Sequence, residues 1–110
     1  MESEVYFADE KLKEVYNKLE ESKAEEKELH KWISRAIDDL KQDAFVGIQI
    51  KKELIPQEYK QKIPDIDNLW KYDMPKCWRL IYTVGKDGVI VMSIILEWMD
   101  HKNYERRFGY

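Results

Sequence analysis

The spacing of apolar residues changes character once along this chain, and that change divides it into a helical half and a stranded half. Val5-Tyr6-Phe7 is a short apolar run behind a polar start and predicts a first strand. Asp9 has the side chain of a helix N-cap, and Leu12, Val15, Tyr16 and Leu19 follow at helical spacing, so a helix begins there and fades near Ser22. Leu29, Trp32, Ile33, Ala36, Ile37 and Leu40 form a second apolar stripe, longer and more continuous than the first. The segment between the stripes, Lys23 to Glu28, is almost wholly charged and predicts a solvated turn leading into the second helix. Two amphipathic helices in succession predict a helical hairpin.

Gly47 ends the helical half. Ile48 and Ile50 alternate briefly, Pro56 opens a short helical turn carrying Tyr59, and 64–68 is a loop. From there the period is two. Leu69 to Met74 is predicted as a strand closed by Pro75-Lys76. Cys77 to Val84 is a second, rich in the β-favouring Trp78, Ile81, Tyr82, Thr83 and Val84. Gly85-Lys86-Asp87-Gly88 is predicted as the hairpin turn, and Val89 to Trp98 is a third strand, apolar enough for the middle of a sheet. The charge pattern of His101 to Phe108 allows about two helical turns. The expected fold class is therefore α+β: an N-terminal strand and a helical hairpin packed on a mainly antiparallel β-sheet, with a short C-terminal helix. The first strand must pair within that sheet, and the pattern does not say beside which neighbour.

Composition narrows this picture. At 110 residues there is room for a single domain, 1–110, and 44% hydrophobic content excludes a disordered chain. The longest apolar stretch, Val89 to Leu96, is interrupted by Ser93 and falls far short of the roughly 20 residues of a bilayer span. The opening Met-Glu-Ser-Glu lacks the basic and apolar regions of a signal peptide, so the expected location is cytoplasmic, with no membrane partner. Cys77 is the only cysteine, which excludes an internal disulfide and a multi-cysteine zinc site. With two histidines, His30 and His101, no HExxH pattern exists either, and neither a metal nor a cofactor is expected. The net charge of -3 is uneven: residues 1–43 hold 13 acids and 8 bases, residues 44–110 hold 9 acids and 11 bases. A chain of this sign is a poor nonspecific nucleic-acid binder, while its mildly basic second part leaves room for a local RNA site. Trp32 and Tyr16 are more aromatic surface than a small core needs, which is compatible with a homodimer through the helices.

Arg79 is the most informative single residue. Strand alternation puts Trp78, Leu80 and Tyr82 on one face and Arg79, Ile81 and Thr83 on the other. An arginine at the centre of a strand is fixed in place, and a fixed guanidinium can grip two phosphate oxygens at once. The competing assignment is a structural ion pair with Glu97, Asp73 or another acid. The tail His101-Lys102-Asn103-Tyr104-Glu105-Arg106-Arg107-Phe108-Gly109-Tyr110 is the second cluster. If helical, it places His101, Tyr104 and Phe108 on one face, where His101 and Tyr104 could serve as general acid or base, or Tyr104 and Phe108 could pack on the core. Lys71 shares a face with Arg79 if the strands pair in register. Arg106 and Arg107 add positive charge. Asp100 could orient the His101 imidazole or end the strand. Glu97, inside an apolar strand, needs Arg79 or a similar partner if buried.

The order of these pieces resembles the RelE/ParE superfamily of toxins from type II toxin–antitoxin systems. The residues that carry the likeness are the opening strand, the paired helices, Leu69-Trp70-Lys71-Tyr72, Trp78-Arg79-Leu80-Ile81-Tyr82, the long apolar strand, and His101-Lys102-Asn103-Tyr104. The RelE branch cuts messenger RNA in the ribosomal A site. The resemblance implies a small, metal-independent endoribonuclease in which the 2′-hydroxyl attacks the adjacent phosphate. It implies Arg79 as phosphate clamp, His101 or Tyr104 as acid/base, and Lys71, Arg106 and Arg107 as substrate-binding cations. It also implies a cognate antitoxin as partner. The ParE branch shares the fold, inhibits gyrase and cuts no RNA, so a non-catalytic, ParE-like binding toxin is the alternative, with a detoxified orphan as a third.

Overall fold

A computed structural model describes residues 1–109; Tyr110, the last residue of the tail, lies outside the described residues. Five strands form one sheet in the order β1-β5-β4-β3-β2. β1 is Glu4–Phe7, β2 Ile48–Ile50, β3 Leu69–Asp73, β4 Arg79–Asp87 and β5 Ile90–Met99. The helices are α1 Glu10–Leu19, α2 Ala24–Gln42, α3 Gln57–Lys62 and α4 His101–Phe108. The fold class is α+β, as the apolar pattern predicts. β1 runs parallel to β5, and every other pairing is antiparallel.

The start of α1 is set by chemistry visible in the chain. The Asp9 carboxylate accepts from the Leu12 N–H at 2.8 Å and starts α1. α2 buries Leu29, Ile33, Ala36 and Leu40 against the sheet. α1 buries no residue fully and lies over α2 and the end of β1, with the Tyr16 ring stacked on His30 at 4.4 Å. The sheet is thus sandwiched between unequal layers. On one face the α1–α2 hairpin covers Leu80, Tyr82 and Ile95. On the other, α3 and α4 cover Leu69, Ile81, Leu96 and Met99 with Tyr59, Tyr104 and Phe108. Among the described residues no helix is long and apolar enough to cross a membrane.

Three boundaries differ from the sequence pattern, and each has a local cause. Cys77 and Trp78 are not in β4. Pro75–Cys77 forms a short 3₁₀ turn in which Lys76 and Cys77 both take left-handed backbone angles, φ 56° and 62°. Gly85 does not open the hairpin turn. β4 continues to Asp87, which pairs with Ile90, and the two turn residues are Gly88 and Val89. Gly88, at φ 62°, supplies the positive angle that a two-residue hairpin needs at its first central position. Ile48–Ile50, read as a brief alternation, is a fifth strand at the edge beyond β3.

The pairing of β4 with β5 contains one irregularity. Ile81 faces Glu97 and Tyr82 faces Ile95, so β5 carries an extra residue at Leu96. Upstream, β5 alternates normally, with Ser93 and Ile95 toward the helical hairpin. Ser93 is bound there: its hydroxyl lies 2.8 Å from that of Ser3, which donates to the Leu40 carbonyl. Past the bulge, Leu96 and Glu97 both face α3 and α4.

Tyr82 fastens the α2–β2 connection from beneath. Its hydroxyl donates to the Ala44 carbonyl and accepts from the Gly47 N–H. The chain passes so close that a Cβ on Gly47 would lie 2.5 Å from the Lys71 carbonyl oxygen. Burial pushes the Tyr82 phenol up to about 12, and burial with the Asp39 hydrogen bond does the same for Tyr72. Both phenols ionise near 10 once unfolded. Their contribution to stability is therefore complete below pH 10 and is lost as pH climbs from 10 through 12. Urea unfolding across that range should show a falling midpoint, with a shallower fall in Tyr82→Phe. At neutral pH Tyr82→Phe should lose about 2 kcal/mol, because two backbone groups are left unpaired.

Candidate functional site

The register of β3 against β4 determines which cations meet. Asp73 pairs with Arg79 and Lys71 with Ile81, so Lys71, Asp73 and Arg79 project from the same face. α4 crosses that face directly after β5. Asp100 fixes where it starts, accepting from the Asn103 N–H at 3.0 Å and the Asn103 side-chain amide at 2.9 Å. Asp100 is therefore the cap of α4 and does not orient the His101 ring. The first turn of α4 then brings His101 over Arg79, and the next turns drive Tyr104 and Phe108 into the core.

Tyr104 serves as a platform. Its ring is 6% exposed, the Arg79 guanidinium carbon sits 4.5 Å from its centroid, and the Lys71 ammonium lies 5.7 Å away. Arg79 Nη1 donates to the Cys77 carbonyl at 3.3 Å and is 3.0 Å from His101 Nδ1. A guanidinium has donors only, so Nδ1 must be the acceptor and the imidazole proton sits on Nε2. Nε2 is 2.5 Å from the Glu105 carboxylate, one helical turn along. Glu105, His101 and Arg79 thus form a continuous chain of contacts that fixes both the tautomer and the tilt of the ring. Asp73 is the ion-pair partner of Arg79, with Oδ1 3.4 Å from Nε and 3.6 Å from the Lys71 ammonium. Arg79 Nε is buried beside Asp73 and makes no hydrogen bond among the described residues, and Nη1 is used by Cys77 and His101, so the donors left for a ligand are those of Nη2.

Of the residues expected to act together, Arg79, His101, Tyr104 and Lys71 do meet. Arg106 and Arg107 do not join them. They line a separate cavity of about 590 Å³ with Trp78, Trp98 and Asn103, at the edge of β5 that β1 leaves uncovered. Arg107 is engaged structurally: Nη2 is 2.9 Å from Glu97 and Nη1 contacts Glu58. Tyr59 donates to the other Glu97 oxygen at 2.6 Å, and its phenol is pushed well above its ordinary value by burial and by that carboxylate. Glu97 therefore has Arg107 as its partner, where sequence reasoning pointed first to Arg79. The residue sequence reasoning missed is Glu105. Its spacing of four from His101 on a helix was a legible signal.

Among the described residues no three His, Cys, Asp or Glu side chains stand close enough to hold a metal ion. What the cluster offers is a positioned guanidinium with spare donors, an ammonium, and an imidazole of defined tautomer, more than half of it exposed. Those are the parts required to hold an oxyanion and move a proton beside it.

Two outcomes follow from these contacts. Arg79→Ala together with Glu105→Ala should release the His101 tautomer, so that the imidazole nitrogen NMR shifts move from the Nε2–H pattern toward a mixture, while Glu105→Ala alone, with Arg79 still donating to Nδ1, should keep that pattern. Arg107→Ala should cost about 2 kcal/mol in urea unfolding, because the half-buried Glu97 loses its charged hydrogen bond; adding Glu97→Gln should recover part of that loss.

Comparison with known proteins leaves the assignment to the chain's own geometry: no family model, no curated protein and no solved structure matches it.

Proposed function

We propose that this chain is a RelE-like toxin that cleaves messenger RNA in the ribosomal A site without a metal, and that a cognate antitoxin restrains it. The observation that carries this reading is the contact of Arg79 with His101 over the Tyr104 ring. A scissile phosphate would take the guanidinium's unused donors, with Lys71 adding charge beside it. On arrival it would compete with His101 for Nη1 and free the Nδ1 lone pair. Nδ1 can then accept the proton of the 2′-hydroxyl. The 2′-oxygen bonds to phosphorus, the bond to the 5′-oxygen breaks, and the leaving oxygen takes a proton from water, the imidazolium later returning its own to solvent. The products are a 2′,3′-cyclic phosphate end and a 5′-hydroxyl end. Glu105 holds the ring and supports the positive charge that develops on it. Tyr104 supplies the platform, so the acid/base role falls to His101.

The second reading is a ParE-like toxin that binds a protein target and cuts nothing. What favours it is the paired charge of the cluster: Asp73 and Glu105 sit against Arg79 and His101, in a chain of net charge -3.

Primer extension on messages from an inducible translation system separates the two. The nuclease reading expects new 5′ ends that form only during translation. Cleavage should fall by about a hundredfold or more in Arg79→Ala and in His101→Ala. Arrested growth with intact message would replace it with the binding reading.

A further inference from the structure

A groove of about 450 Å³ lies on the hairpin face of the sheet, where the α1–α2 turn meets the 3₁₀ turn before β4. Its apolar lining is Leu19, Leu29, Trp32 and Trp78, and Glu25, Glu26 and Glu28 stand on its rim. Both tryptophans are only partly buried. The stretch from Glu20 to Glu28 holds five glutamates and two lysines, the densest run of carboxylates in the sequence. Lys76 already reaches across the groove to within 4.0 Å of Glu28. Glu25 and Glu26 make no ion pair among the described residues.

Helix electrostatics accounts for part of this. Carboxylates in the first turn of α2 face the helix's own unpaired N–H groups. That explains Glu25 and Glu26, and it does not explain two tryptophans left partly exposed beneath them. An aromatic floor under a carboxylate rim is complementary to one kind of side chain: a cation on a long apolar stem. The stem lies along the indole faces and the head reaches the acids, and arginine, planar and weakly hydrated, suits both contacts best.

We propose that this groove docks a basic segment of a protein partner, which presents arginine or lysine side chains together with apolar ones. Lys76 is the intramolecular version of that contact. RNA is excluded as occupant by the sign of the rim. The proposal stands apart from the nuclease reading, because none of its residues belongs to the Arg79 cluster.

The test uses the intact chain and two synthetic helical peptides, one built of arginine and leucine, the other of glutamate and leucine in the same pattern. The arginine peptide should bind and the glutamate peptide should not. Binding should move the indole N–H signals of Trp32 and Trp78 and leave that of Trp70 in place. Glu25→Gln with Glu26→Gln should weaken it about fivefold at low salt, and high salt should remove that difference. Trp32→Ala should weaken it further, and Trp32→Phe should retain part of it, which separates loss of the floor from loss of the fold. Equal binding of both peptides, no binding of either, unchanged affinity in the double glutamine variant, or a response at Trp70 in place of Trp32 would overturn the proposal. So would self-association of the chain that buries Trp32 and excludes the arginine peptide.

Discussion

The extra residue in β5 is the constraint on which the candidate site depends. Without the bulge, strict alternation would turn Glu97 toward the helical hairpin with Ser93 and Ile95. There it would be a carboxylate in an apolar layer, and Arg107 of α4 would keep Glu58 of α3 and lose its acid on the sheet. With the bulge, Glu97 joins Leu96 on the face that α3 and α4 cover. It then binds Tyr59 from α3 and Arg107 from α4 at the same time. A single irregular step in one strand thus ties two short helices to the sheet, each too short to be stable alone.

α4 is consequently both a structural and a chemical element, with the duties divided by its faces and ends. Its C-terminal turn carries Arg107 and Phe108, which anchor it. Its N-terminal turn carries His101, held between Arg79 and Glu105. Tyr104 lies between the two and belongs to both, being core to Phe108 and Ile81 and platform to Arg79 and Lys71. Anchor and chemistry are separated by two turns of helix, so that the anchor can be weakened while the chemical groups remain present.

Much of this was legible in the residues, for physical reasons. Burial imposes a period on any element that faces a core, so the stripe of α2 and the alternation of β3 and β4 could be read directly. Alternation also predicted that Lys71 and Arg79 share a face. The bulge could not be read, because Leu96 and Glu97 look like ordinary members of an apolar strand, and only the partner strand's register reveals the extra residue. The left-handed turn at Lys76 and Cys77 was hidden for a related reason: neither residue favours that conformation, and the turn is closed by backbone hydrogen bonds from Met74 N–H to the Trp78 carbonyl and from Trp78 N–H to the Pro75 carbonyl. The sequence left two roles open for Asp100 and did not show which acid Arg107 would meet. Helix geometry sends Arg107 to Glu97, and the capping position claims Asp100.

The parallel pairing of β1 with β5 bears on how the chain acquires its shape. Ser3 and Ser93 touch across 90 positions of sequence, so the strand synthesised first must wait for the one synthesised last among the five. Until β5 emerges, β4 also lacks its longest neighbour, and the helical hairpin has only part of a floor to rest on. The sheet therefore cannot grow outward from its N-terminal end as the ribosome delivers it. The β4–β5 hairpin, closed by two residues, carries the lowest closure cost in the sheet, and the β1–β5 pairing the highest. A nascent chain of this design keeps β1 unpaired in the sheet until β5 has left the ribosome.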